Sequence, residues 1–341
     1  MKALVYEGSG KIALKDVPRP HIEQDTDVIV RVALTAICAS DLHVIHWGYN
    51  RPPNKILGHE FVGVIDEVGS GVKRFKAGER VLGICTIQCG QCPECNRGFP
   101  VYCHNGMRYS KEIDGAQAEY VRIPFADASV EPIPDGISYE DALLVGDIFP
   151  TGFMGAQYGS IVPGDVVAVF GAGPVGLAAM EAARLFGPSQ IIAVDILDYR
   201  LDKAREMGAD TVINAQKDDV AQAIGAATGG KGADVSIEAV GSAPTLQGAI
   251  ASTAKGGNVS IIGIFRDPVE IPMHTMVHQG LSIRMSVVNV SGIDRLMALV
   301  GKGKVDLKPI ITHTMPLDDI ERAYQMFDEK LDGCVKIALR V

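Results

Sequence analysis

VVAVFGAGPVG, residues 166–176, is a five-residue apolar run suited to a buried strand, followed by Gly171, Gly173 and Gly176 where a helical pattern begins. A strand that runs through G-x-G-x-x-G into a helix has a physical use. Gly171 permits the tight turn, Gly173 lets backbone approach a pyrophosphate, and Gly176 allows the helix to pack closely on the strand. Pro174 and Val175 lie between the last two glycines, at a helix N-terminus whose partial positive charge favours an anion. Glycine is abundant in this chain, so the setting and not the motif alone makes this a dinucleotide-binding turn.

Toward the C-terminus, IIAVD ends on Asp195, about 20 residues beyond the turn. A carboxylate there can bind both adenosine ribose hydroxyls and repel a 2′-phosphate, so NAD is expected over NADP. The competing reading is an Asp that only caps the next helix. Arg200 follows closely and could receive a phosphate, so it joins the expected cofactor contacts. The helical stretch LDKAREMG and the strands in DVSIEAVG and NVSIIGIF continue the alternation, which argues for a doubly wound parallel sheet over residues 151–290. The alternation fades near Ser291. Residues 291–341 run helix-like over 292–301, loop, helix-like over 317–327, then a closing strand over 335–341, a tail that could pack on either domain.

Toward the N-terminus, residues 1–150 hold short alternating segments such as 28–34 and 60–68, divided by Gly and Pro, the pattern of a largely antiparallel β region. A length of 341 residues suits two domains, and an apolar content of 47% supplies real cores. The net charge of -9 comes with no basic face to neutralise a phosphate backbone, which excludes nucleic acid as the expected partner. Apolar runs stay well short of the roughly 20 residues a membrane helix needs. The N-terminus, MKALVYEGSGKIALKD, lacks the apolar core and cleavage site of a secretory signal, so a cytoplasmic protein without membrane attachment is expected.

Seven cysteines in such a chain point to metal or catalysis before disulfides. Cys89, Cys92, Cys95 and Cys103 read C-x2-C-x2-C-x7-C within a Gly- and Pro-rich segment, a lobe over about residues 85–105. Four thiolates so spaced suit a closed tetrahedral zinc, structural because no coordination position stays open. His104 adjoins this lobe as a loop residue. A catalytic zinc instead takes three protein ligands and keeps one vacancy. Cys38 in CASDLH and His59 in LGHE are candidates for two of them, each in a loop beside a strand, although either alone is more often a core residue.

CASDLH, GHEFVGVIDEVGSGVKRFKAGERV, the four-cysteine lobe, GDIFPTG and VFGAGPVG occur in the order seen in zinc-containing medium-chain alcohol dehydrogenases, and the chain resembles that family along essentially its whole length. The resemblance implies a GroES-like β-rich catalytic domain, an inserted Rossmann domain, and a tail that returns to the catalytic domain. It implies that Cys38, His59 and Asp147 bind a catalytic zinc, with Glu60 next to His59 able to approach the metal. It also implies that Ser40 takes the substrate proton and passes it through cofactor ribose to His43 and solvent. Thr151 is expected beside the nicotinamide and Lys336 near the pyrophosphate. Many members carry cysteine where this chain has Asp147, and aspartate is typical of secondary-alcohol and formaldehyde-type branches. His46 has no matching role. Trp47, Tyr109 and residues 287–289 are expected pocket walls.

The expected activity is reversible hydride transfer between NAD and a small secondary or short primary alcohol, giving the matching ketone or aldehyde. Two zinc ions per chain are expected, with assembly as a homodimer or homotetramer. A polyol, threonine or formaldehyde dehydrogenase on the same scaffold is the nearest alternative. A non-catalytic nicotinamide-binding redox sensor is the alternative from another class.

Overall fold

A computed structural model describes residues 1–48 and 51–341. The chain forms two units, one of residues 1–147, 290–304 and 311–341 and the other of residues 148–289 and 305–310. The tail therefore belongs mainly to the first unit. Its short passage over 305–310 belongs to the second, where Leu307 and Ile310 are buried.

In the second unit, Val166–Phe170 lies near the centre of a six-stranded sheet. The order is Thr211–Asn214, Gln190–Asp195, Val166–Phe170, Ala233–Glu238, Thr253–Ile261 and Ser282–Met285, with every pairing parallel. Numbered along the chain, that order is 3-2-1-4-5-6, the doubly wound arrangement of a dinucleotide-binding sheet. Its strands are covered on both faces, which explains continuous apolar runs such as VVAVF in place of alternation. Thr211–Asn214 and Ser282–Met285 are absent from the sequence reading. Both are four-residue edge strands with few buried side chains, so neither carries an apolar run.

Gly171 turns the chain with φ of 98°, and a Cβ at Gly176 would stand 1.7 Å from the Gly171 carbonyl oxygen. Any side chain at 176 would push the helix Pro174–Arg184 off its strand.

The first unit carries two sheets. Lys2–Gly8 pairs antiparallel with Lys11–Asp16 and Lys55–Ile56. The larger sheet centres on Val28–Ala36, which pairs antiparallel with Phe61–Val68, Tyr120–Ile123 and the C-terminal Ile337–Arg340. That last pairing sets Ala338 opposite Ala36 and so carries Lys336 to the end of the strand that leads into Cys38. His313–Pro316, a four-residue strand parallel to Ile337–Arg340, is also missing from the sequence reading. The helix Ile320–Glu329 buries Ile320, Ala323, Tyr324 and Phe327 in a cluster with Leu4, Ile37, Val44 and Leu57. Among the described residues no helix is long and apolar enough to cross a membrane.

Candidate active site and metal centres

The glycine turn delivers Asp195 where its strand ends. Asp195 Oδ2 accepts from the Ala172 backbone N–H at 2.7 Å, inside the glycine turn, and Oδ1 accepts from Ile196 and Leu197 at 2.7 and 3.0 Å. Backbone therefore holds the carboxylate rigidly beside the turn. Arg200 Nη1 stands 4.0 Å from Asp195 Oδ2, and a Cβ on Gly173 would lie 3.6 Å from the same guanidinium. An acidic and a basic group thus flank the turn together. Thr151 is buried in the helix Ile148–Tyr158. An apolar depression of about 370 Å³ in the same unit is lined by Ile261, Ile264, Phe265, Val269, Met285 and Val287. It lies at the carboxyl ends of two strands, where doubly wound sheets hold ligands.

The four-cysteine lobe brings its sulfurs together. Cys92 Sγ is 3.5 Å from Cys95 Sγ and 3.7 Å from Cys103 Sγ, and Cys103 Sγ is 3.4 Å from Cys89 Sγ. A regular tetrahedron with zinc–sulfur bonds of about 2.3 Å has edges of about 3.8 Å. All four cysteines are free, and the spacing fits an S4 zinc while being far too long for a disulfide bond of about 2.05 Å. His104 pairs with Glu94 at 3.0 Å and stands outside the thiol cluster.

The second cluster is Cys38, His59, Glu60 and Asp147, one donor atom from each lying within 4.8 Å of the others. Cys38 ends the approach from Val28–Ala36 and caps the helix Ala39–Trp47. Asp147 Oδ2 is 3.2 Å from His59 Nε2 and 3.9 Å from Cys38 Sγ. Burial opposes charge on His59, but the carboxylates of Asp41 and Asp147 outweigh it and hold this imidazole well above its ordinary pKa. Burial pushes the Cys38 thiol up. Without a metal, protons fill the place of a cation, and zinc uptake must release them. Glu60 is fully buried, with Oε1 on Lys336 Nζ at 2.5 Å and Oε2 left without a partner. An orphaned carboxylate oxygen in a cluster of a thiol, an imidazole and a second carboxylate fits a divalent zinc.

Lys336 departs from its expected duty near a pyrophosphate. Its side chain is fully buried and its ammonium is committed to Glu60, because the pairing of the C-terminal strand with Val28–Ala36 carries it inside the first unit. Ser40 Oγ lies 3.4 Å from His59 Nε2, beside the cluster that could hold a metal.

His43 stacks on Trp47 with ring centroids 3.9 Å apart. Burial, opposed by Asp41 and helped by His46, lowers its pKa from 6.5 to about 4. The unfolded chain binds a proton near 6.5 and the folded chain only near 4, so this residue's contribution to stability is complete above 6.5 and is lost as pH falls toward 4. In NMR titration of the cofactor-free protein, His43 ring resonances will hold still from about pH 8 to about pH 5, and a midpoint near the ordinary value would refute this. His46 instead pairs with Asp328 at 2.9 Å on the C-terminal helix.

Two functional residues escaped sequence reasoning. Asp41, buried in CASDLH, places Oδ1 3.4 Å from His59 Nδ1 while Oδ2 accepts the Cys38 backbone N–H at 3.0 Å. Its position three residues after an N-cap was the available signal. Cys85 is buried with its thiol hydrogen-bonded to Asp147, and only its place at the edge of the lobe marked it. Tyr109 packs edge-on against Phe61 in the core of the first unit.

A doubly wound unit with a dinucleotide turn, in one chain with a thiol–imidazole–carboxylate metal cluster, defines a zinc- and nicotinamide-dependent oxidoreductase. Residues 24–135 match the alcohol dehydrogenase GroES-like domain and residues 174–302 match the zinc-binding dehydrogenase domain. An alcohol dehydrogenase of Cupriavidus necator is 37% identical over 100% of this chain and 98% of its own length. The solved alcohol dehydrogenase TADH from Thermus sp. ATN1 is 37% identical with a TM-score of 0.95, and the match covers 100% of both chains. A zinc-binding dehydrogenase from Sinorhizobium meliloti, solved bound to NADP, has a TM-score of 0.90 at 29% identity, covering 100% of this chain and 99% of that one. The chain belongs to the zinc-dependent medium-chain alcohol dehydrogenases. It is an enzyme, an oxidoreductase that moves hydride between an alcohol and a nicotinamide cofactor.

Proposed function

We propose that Cys38, His59 and Asp147 hold the catalytic zinc, with Glu60 behind them, and that this site oxidises a small secondary or short primary alcohol with NAD. The observation that carries the reading is the meeting of those three donors, from distant parts of the first unit, with Ser40 Oγ beside them. Zinc bound there lowers the proton affinity of a nearby hydroxyl, and the oxidised nicotinamide supplies the hydride acceptor. Ser40 Oγ accepts the released proton as it passes its own hydroxyl proton toward the cofactor ribose. His43, neutral through the working pH range, accepts it at a ring nitrogen on the way to solvent. Cys89, Cys92, Cys95 and Cys103 hold a second, structural zinc.

Gly171, Gly173, Pro174, Val175 and Gly176 cradle the pyrophosphate, with Thr151 beside the nicotinamide. Asp195 takes the adenosine ribose hydroxyls, and its fixed negative charge disfavours a 2′-phosphate despite Arg200 nearby. The enzyme works in the cytoplasm as a homo-oligomer, built from catalytic residues 1–150, dinucleotide-binding residues 151–290 and the returning tail 291–341.

Zinc quantitation alongside NADH production from a series of primary and secondary alcohols tests the reading. Two zinc per chain with turnover is the expected result. Metal-loaded protein that binds NAD yet turns over no alcohol would overturn it in favour of a redox sensor. In the same assay Asp195→Gly will raise the ratio of kcat/KM for NADP to that for NAD by about tenfold, equivalent to about 1.4 kcal/mol. An unchanged ratio would remove Asp195 from that role.

A further inference from the structure

We infer that Gln117 and Tyr324 are positioning residues for the catalytic metal, joined to it by a buried hydrogen-bond chain that ends on Asp41. The inference rests on the proposed metal role of Cys38 and His59.

Tyr324 sits on the helix Ile320–Glu329, 3% exposed within an apolar cluster. Its hydroxyl donates to Gln117 Oε1 at 2.8 Å and also lies within hydrogen-bonding reach of the Asp41 carboxylate. Gln117 is fully buried, and its Nε2 donates to the Ala36 carbonyl at 3.2 Å and to Asp41 Oδ2 at 3.3 Å. Both those partners are acceptors, so the amide has one workable orientation, and its oxygen must then face the phenol.

Asp41 is where the chain becomes mechanistic. One carboxylate oxygen fixes the Cys38 backbone N–H and the other faces the His59 ring, so a single side chain orients both ligands. A carboxylate on the far nitrogen of a metal-binding imidazole sets its tautomer and raises its basicity. A carboxylate free to rotate does neither well. Gln117 and Tyr324 remove that freedom through their hydrogen bonds to it.

Space is reserved for the arrangement. A Cβ on Gly58, the residue before His59, would lie 2.5 Å from Gln117 Cγ. The amide therefore runs directly beneath the loop that carries His59. The link also spans the sequence, because Tyr324 and Gln117 are 207 residues apart. Seating of the C-terminal helix is thereby coupled to the geometry of a metal ligand near the N-terminus.

The test compares wild type, Tyr324→Phe and Gln117→Glu as full-length, zinc-loaded protein. The first removes only a hydroxyl. The second keeps an acceptor for the phenol but cannot donate to Asp41. Zinc release to a chromophoric chelator should speed up about tenfold at one site per chain in both variants, the low end of effects seen when an outer partner of a metal ligand is lost. The four-cysteine zinc serves as an internal control with unchanged release. After cobalt is placed in the catalytic site, its visible bands should shift in both variants. Lower melting temperatures with wild-type release and wild-type cobalt bands would mean a packing role only and would overturn the inference. A wild-type protein with no zinc beyond the four-cysteine site would overturn the catalytic-zinc reading as well, so the two failures are distinguishable.

Discussion

Asp147→Ala will leave the enzyme with about one zinc per chain in place of two and will reduce kcat by at least about a thousandfold. Loss of a partner behind a metal ligand already costs about 10- to 100-fold, and removing a ligand is more severe. Asp147 Oδ2 is the donor that faces both His59 Nε2 and Cys38 Sγ, so its loss leaves two donors where a catalytic zinc needs three. Glu60 offers its unpartnered Oε2, but its other oxygen is tied to Lys336, so it replaces Asp147 only in part. Asp147→Cys tests whether another anionic donor at this position suffices. A thiolate is also a zinc donor, so this variant should keep its second zinc and part of its activity, whereas Asp147→Ala keeps neither. Metal analysis with single-turnover kinetics decides it, and full zinc retention in Asp147→Ala would refute the ligand assignment.

What the sequence could reveal depended on how local the chemistry was. The glycine turn and the four-cysteine lobe each need residues within one short segment, so spacing alone announced them. Cys38, His59 and Asp147 are spread over more than a hundred residues, and only an ordered set of surrounding motifs joined them. Asp41 was visible as part of CASDLH, but its service to two ligands depends on where His59 comes to lie. Gln117 and Tyr324 could not be read at all, since a glutamine after a glycine turn and a tyrosine on an amphipathic helix each have ordinary explanations. Lys336 shows the same limit from the other side. The resemblance suggested a place near the pyrophosphate, while strand pairing buried its charge against Glu60. The short strands Thr211–Asn214, His313–Pro316 and Ser282–Met285 lack apolar runs because each lies at the edge of a sheet, and neighbours in space specify them.

Cys103→Ala will cost the lobe its zinc and most of its order, with a loss of stability larger than any single core truncation in the chain. Regular structure between Cys89 and Cys103 amounts to the four-residue helix Pro93–Asn96 and the three-residue turn Pro100–Tyr102. Pro100 and Cys92 are its buried residues, so apolar burial supplies little there. Structural zinc in small domains contributes about 10–16 kcal/mol of apparent binding free energy, against about 2–5 kcal/mol for deleting a large core side chain. Without a cation the four thiols cannot ionise together. Burial opposes ionisation of Cys89 but backbone N–H groups and neighbouring side chains bring it down to about 6, while burial and adjacent thiols push Cys95 up to about 12. Zinc uptake therefore releases protons, and affinity at this site rises with pH. In Cys103→Ala, limited proteolysis will cut within residues 89–103 while the wild type resists, the zinc content will fall by about one equivalent, and the melting temperature will drop. Cys38, His59 and Asp147 are untouched by the substitution, so residual catalytic zinc and alcohol turnover at low temperature should persist. A lobe that stays protease-resistant after losing its metal would show that burial, and not the four sulfurs, holds it.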